Sequence, residues 1–564
     1  MKLRRRTQRV ALAMVAGLVG CYSGSPAMTA DEGGTDTATG GETDGNDDGV
    51  PDDVNPFSVA PPLVGRLTET QYENSVLDIL GVALTDEERE QLPRDIPIEG
   101  DYSTAVASQF FNTQYVLAYA FVARSLTERL EADALTQTHG GCVGVGDTSC
   151  RQSFIRGLGL RLARRPLDDD EVAHYEELAE TITSEPGTTE DDVVAAIVQA
   201  MLQSPQFLYR LEVETDGTPD EIRLVSGYEL ASRLSYFLWQ SAPDLELLEF
   251  AAQAGGDGSV DTTGIEAQVQ RMIADPRFTR SREVFWADYS LVSIASLLAV
   301  EPEVADELVT SLMATFEHIS GDDPEHSLAS LFDGEQLVMT PAVAELAGVS
   351  DPKPGLSLYD SSTLQARGGV LTHPGFLAAL GTTSFVGRGV FMTERLLCQH
   401  LTPPPDDVAE QIMQTAQQTE SMTPREASEF RMNIEPQCTS CHTLFEPIAY
   451  GFERFDLVGR YTTNDAEGRA LFSDGSLPAF GDRQAVTFSS ASGLLGQLAG
   501  EPQVQRCLVE NMMEYASGTR ASAAVDSIEQ ATEEFVAADE TFAGLAMSVA
   551  QNRQLTCKRT APAE

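Results

Sequence analysis

Residues 68–81 read TETQYENSVLDILG, and this stretch sets the fold class. Thr68 and Gln71 stand three apart, the spacing of a capping box that satisfies the first backbone N–H groups of a helix. Tyr72, Val76, Ile79 and Leu80 follow at three- and four-residue steps, so one helical face is apolar. Gly81 then supplies a stop. The same grammar returns along the chain. Asp168 precedes Glu171 by three, and Val172, Tyr175, Leu178 and Ile182 form the stripe behind them. Val193 to Gln203 is a third helix, stopped by Ser204-Pro205. Ser226 and Glu229 cap a fourth, with Leu230, Leu234, Phe237 and Leu238 inward. Further helices are expected at about 265–274, 301–318, 388–400, 424–432, 503–515 and 526–550. Alternating strand patterns are scarce, and Arg469 to Phe488 is the least helical stretch. The fold class is therefore mainly α, built of several small helical modules. No fixed short period emerges, which excludes a solenoid.

The chain has 564 residues, 42% of them hydrophobic and 22% charged, enough for several cores. Its net charge is −50. That excludes a nucleic-acid backbone binder and docking on anionic lipid through basic residues. The first twenty residues set a compartment. Lys2, Arg4, Arg5, Arg6 and Arg9 precede a short apolar run from Val10 to Val19, which ends in Leu-Val-Gly-Cys21. This is a lipoprotein signal, with Cys21 the lipidated residue and acyl chains the only expected membrane anchor. Tyr22, where inner-membrane retention uses Asp, points to the outer membrane. Residues 21–56 carry nine acids and no base and read as an acidic, disordered linker. Asp44 to Asp53 has the oxygen-rich spacing of a calcium loop, but a solvated linker accounts for it better. Setting aside the linker acids and the leader bases leaves the rest of the chain strongly acidic. A partner docked by charge would be basic.

The strongest chemical motif is Cys438-Thr-Ser-Cys441-His442. Two thiols three apart can add across two haem vinyl groups, and the adjacent imidazole can ligate the iron from the proximal side. One haem c is the expected cofactor. A CxxC redox pair and a structural disulfide are the competing readings. Zinc is disfavoured, because no second CxxC or HxxxH exists in the chain. Candidate distal ligands are His373, His400, Met432 and Met512, with Met513 beside the last. Cys142 and Cys150 bracket a Gly-rich loop and are expected to pair. Among Cys398, Cys507 and Cys557 the pairing stays open. No nucleophile elbow, P-loop or dinucleotide fingerprint occurs, and the seven histidines lack metal-ligand spacing.

Several longer motifs carry a resemblance. The stretch CTSCHTLFEPIAYGFERFDLVGRY (438–461) resembles the cytochrome c-like module of large planctomycete and myxobacterial secreted proteins. Those proteins string together PSD and PSCyt modules of unknown function. RLTETQYENSVLDILG from Arg66, FIRGLGLRLARRPLDDDEV from Phe154, MLQSPQFLYRLE from Met201 and YELASRLSYFLWQSAPD from Tyr228 are similar to successive modules. GGVLTHPGFLAALG from Gly368 and RGVFMTERLLCQHLTPPPDDV from Arg388 resemble the start of the cytochrome-like one. CLVENMMEYASGTR from Cys507 resembles the C-terminal one. The implied organisation is a leader (1–20), a linker (21–56), helical modules at 57–140, 141–212 and 213–345, a cytochrome c-like module at 362–465 and a C-terminal helical module at 485–557. The resemblance implies haem attachment at Cys438, Cys441 and His442 and assigns no reaction. Two departures stand out: Phe430 replaces the His usual before Arg431, and Glu446-Pro447 replaces Asp-Pro. The functional expectation is a cell-envelope lipoprotein with one c-type haem for electron transfer or a redox step. The alternatives are a haem-free surface protein for polymer binding or breakdown, and a structural envelope scaffold.

Overall fold

The computed structural model describes residues 64–95, 101–106, 109, 112–212, 222–253, 262–292, 300–321, 326–401, 415, 417–419, 421–434, 436–480, 483–522 and 524–559. The leader with Cys21, the acidic linker and its calcium-type loop lie outside them. The fold is mainly helical, as the periodicity requires. Strands among the described residues form short antiparallel pairs.

The chain closes on itself twice. In the first closure, β1 (Val64–Arg66) pairs with β2 (Tyr209–Leu211), Val64 opposite Leu211. Between these strands run α1 (Glu69–Leu80), α2 (Thr113–Thr127), α3 (Ala132–Gly140), α4 (Thr148–Leu162), α5 (Asp169–Thr183) and α6 (Glu190–Leu202). Their inward faces share one core containing Leu67, Tyr72, Val76, Phe154, Leu158, Ile197 and Phe207. The capping boxes at Thr68 and Asp168 form as expected. The helices before and after residue 141 thus bury their apolar stripes against each other.

In the second closure, β3 (Ile222–Leu224) pairs with β8 (Cys557–Arg559), Ile222 opposite Arg559. The intervening helices include α7 (Gly227–Leu238), α8 (Thr262–Ala274), α9 (Phe278–Tyr289) and α10 (Pro302–Ser320). They continue with α11 (Phe385–Phe391), α12 (Pro424–Ile434), α13 (Pro436–Ala449), α14 (Pro502–Ser517), α15 (Val525–Ala537) and α16 (Phe542–Ala550). One large core joins residues from Tyr102 to Leu555, with Trp239, Trp286, Phe376, Phe452, Tyr515 and Phe535 all inside it. Arg233 locks the closure. It is almost fully buried, pairs with Glu212 through Nε and Nη2 at 2.6 and 2.7 Å, and donates to the Leu555 and Cys557 carbonyls.

Local departures have local causes. The helix expected at 388–400 ends early, because α11 widens into a π-helical turn over Met392–Leu396. The helix expected at 526–550 is two helices. Asp539 and Glu540 take the left-handed conformation, which ends α15 and lets Phe542 and Leu545 of α16 fold back into the core. Residues 436–449, given no element by periodicity, form α13. Two further ribbons are β4 (Gln336–Met339) with β5 (Ser357–Asp360) and, in the non-helical stretch, β6 (Gly475–Leu477) with β7 (Val486–Phe488).

Cys142 and Cys150 form a disulfide. Cys398 pairs with Cys507, and Cys557 is left as a buried thiol. The second bond fastens the turn after α11 to α14 across 109 residues of sequence. Replacing both Cys398 and Cys507 by Ala is expected to cost about 2–4 kcal/mol, through the greater freedom of the unfolded chain. Urea denaturation at neutral pH measures this, and a loss under roughly 0.5 kcal/mol, the range of a neutral surface change, contradicts it.

Candidate functional site

The Cys-x-x-Cys-His motif lies in the first half of α13. Cys441 is exposed and Cys438 half-buried, and both stand outside the two disulfides. On a helix, residues three apart share a face, so both sulfurs belong to one side of α13. The helix is held by its neighbours. At Gly389 of α11, a side chain would put its Cβ 2.3 Å from the Phe445 carbonyl oxygen, so only glycine allows this approach. From α12, Ser428 and the Tyr450 hydroxyl meet at 2.8 Å. Phe385, Ala449 and Tyr450 form a small buried cluster, and Met432 packs against it.

Two buried arginines fix the chain beyond α13. Arg388, with no exposure, donates to the carbonyls of Phe452, Phe455 and Asp456. Arg367 donates to the carbonyls of Thr372 and Gly459. Burial lowers both guanidinium pKa values to about 10, with Asp456 opposing the shift. Backbone carbonyls here do the work that a carboxylate usually does for a buried cation.

The centre of the site is Glu446, one turn after His442 and wholly without exposure. His442 Nδ1 lies 2.5 Å from Glu446 Oε1. Arg431 of α12 donates to both oxygens, Nε to Oε1 at 2.7 Å and Nη2 to Oε2 at 2.8 Å. Burial pulls the Glu446 pKa upward, but hydrogen bonds from His442, Arg431 and Ser428 overcome it and hold the value at about 2. The group is therefore a carboxylate, and a carboxylate can only accept. The proton of the contact sits on His442 Nδ1. The other ring nitrogen, Nε2, has no partner among the described residues. The Phe445 ring lies 5.1 Å from the imidazole, centroid to centroid.

The other candidate ligands named from the sequence take the following places. Met432 belongs to the α12–α13 hairpin itself. His373 is fully buried, and both of its nitrogens are engaged: Nδ1 accepts from the Gly375 N–H at 3.0 Å and Nε2 donates to the Val338 carbonyl at 3.2 Å. It caps the short helix Pro374–Ala379, and burial lowers its pKa to about 3, so the ring is neutral. His400 Nε2 meets Glu510 of α14 at 3.1 Å, and this bond raises its pKa. Met512 is a fully buried core residue of α14. Periodicity gives Glu446 no role beyond its place in Glu446-Pro447; its four-residue spacing from His442 is the signal that points to the pair. Among the described residues, no group of three or more His, Cys, Asp or Glu side chains is placed to hold a metal ion, and no helix is long and apolar enough to cross a membrane.

Comparison with known families gives four matches in chain order. PSD3, a protein of unknown function (DUF1587), matches residues 66–131, and PSD5 (DUF1595) matches 150–212. PSD4 (DUF1592) matches 225–349, and PSCyt3 (DUF1588) matches 367–465, the segment that contains α11 to α13. No curated protein and no solved structure matches the chain.

The depressed Glu446 pKa has a definite acid signature. Stability gained from this carboxylate is fully present above its ordinary value of 4.5 and is lost as pH falls through about 2. Glu446→Gln is expected to cost about 3–5 kcal/mol at pH 7, the penalty of leaving one partner of a buried pair alone. Urea titrations stepped from neutral pH to strong acid should show the gap between variant and parent closing below pH 4.5. A gap that stays constant contradicts the assignment.

Proposed function

We propose that this chain, which carries the PSD and PSCyt modules of the planctomycete-type multidomain family of unknown function, is a cell-envelope lipoprotein that holds one c-type haem and serves electron transfer or another redox step. The observation that carries the reading is the donor set on α13. Cys438 and Cys441 are thiols on one side of a helix, and His442 keeps Nε2 open while Nδ1 is committed to Glu446. This donor chemistry fits a haem. Cys438 Sγ and Cys441 Sγ would hold it through thioethers, and His442 Nε2 would be the proximal ligand. Such a group supplies a one-electron iron couple when bound.

The residues of the chain do the rest. Arg431 fixes Glu446, and Glu446 fixes the imidazole ring. Gly389 lets α11 approach the backbone of α13 closely at Phe445. The acidic surface, carrying most of the −50 net charge, favours a basic electron-transfer partner and an association rate that falls with salt. Acylation at Cys21 would tether the body to the membrane through the acidic linker.

The decisive measurement is haem content in protein produced by a cell competent for cytochrome c assembly. A haem-stained band after denaturing electrophoresis and a pyridine haemochrome spectrum with one haem per chain are expected. Cys441→Ser should retain a single thioether and shift the haemochrome band. Cys438→Ser combined with Cys441→Ser should carry no covalent haem. A parent chain without haem in such a cell sinks the reading.

The anchor is tested separately. Cys21→Ala is expected to move the protein from the membrane pellet to the soluble envelope fraction and to abolish fatty-acid labelling. Retention in the pellet after that change counts against lipidation at Cys21.

A further inference from the structure

A histidine and a glutamate four apart on a helix commonly make no more than a wet surface pair. Three observations set His442 and Glu446 apart from that. The carboxylate has no exposure at all. A second helix, α12, delivers a bidentate guanidinium to it, so the carboxylate cannot rotate away from the ring. The ring contact is also short, 2.5 Å, below the ordinary span of an N–H···O bond. Buried charge is retained at a cost, and an apolar side chain at 446 would pack the α12–α13 interface without it.

We infer that Glu446 is the positioning residue for His442: it locks the imidazole as the Nδ1–H tautomer, commits Nε2 as the ligating atom and strengthens that nitrogen as an electron donor. The physical ground is the acceptor. A full carboxylate pulls the Nδ1 proton more strongly than a neutral carbonyl and pushes electron density onto the opposite nitrogen. A metal bound at Nε2 is then favoured in its oxidised state and has a lower reduction potential. Arg431 keeps the carboxylate ionised and immobile while balancing its charge. The tautomer stands on the protein alone. Its effect on potential rests on the haem reading given above.

The test has two arms. In the first, the full chain is made without haem, with nitrogen-15 in its histidines, and His442 is assigned by comparison with His442→Gln. A proton bonded to Nδ1 and protected from exchange is expected. A ring protonated only on Nε2 overturns the inference, and this arm needs no variant of Glu446. In the second, the haem-bearing parent is compared with Glu446→Gln by redox titration, with circular dichroism confirming the fold and haemochrome spectra confirming equal thioether content. The midpoint potential should rise in the variant. An unchanged potential in a folded, haem-bearing variant overturns the inference. Absence of haem from the parent counts against the proposed function, and the nitrogen-15 arm still decides the role of Glu446.

Discussion

A carboxylate removed from water must find charge and hydrogen bonds inside the protein, or it will not stay ionised. Glu446 meets that demand with Arg431 on one side and His442 on the other. The demand reaches outward. It fixes the register of α12 against α13, because a guanidinium from one helix must fork onto a side chain of the other. It fixes a ring orientation, because the ring must turn Nδ1 inward. The glycine at 389 then brings α11 close against α13 at Phe445, and Arg388 gathers the carbonyls that follow the helix. The cysteine pair sits on a support in which every neighbour is constrained by something buried.

Module boundaries in the sequence are not boundaries of the cores. Helices of the first two modules share one apolar interior that also takes in Tyr236 and Ala242, and the main interior of the later helices takes in Tyr102. A small helical module of some seventy residues has little apolar area to bury alone. Sharing solves this, since the stripe of each helix finds a partner in a different module. Arg233 shows how tightly the sharing is enforced. Its guanidinium reads carbonyls of Leu555 and Cys557, more than three hundred residues further on.

What the sequence made legible was local. Capping residues such as Thr68, Asp168 and Ser226 act through their nearest neighbours, so spacing alone reveals them. The Cys-x-x-Cys-His motif is likewise a matter of spacing. What stayed hidden depends on distant partners. His373 is a helix cap because the Val338 carbonyl and the Gly375 N–H happen to flank it. Cys398 takes Cys507 because α14 returns beside α11. Glu446 could be placed one turn from His442 by counting, but its burial depends on α12 folding over it. The break at Asp539 and Glu540 is a tertiary decision in a stretch whose residues are otherwise good helix formers.

The two closures also impose an order in time. A chain is made from its N-terminus, and domains form as units once their residues exist. The β1–β2 ribbon completes when residue 211 has been made, and the first core then lacks only Tyr236 and Ala242, while most of the chain is still absent. The β3 strand must wait for β8, whose residues come almost last. Until then Arg233 lacks its carbonyls and Cys398 lacks its sulfur partner for the first 109 residues that follow it. The half that bears the Cys-x-x-Cys-His motif therefore passes through a long interval in which α13 already has α11, α12 and β6 beside it, while the ribbon that closes this half is still missing.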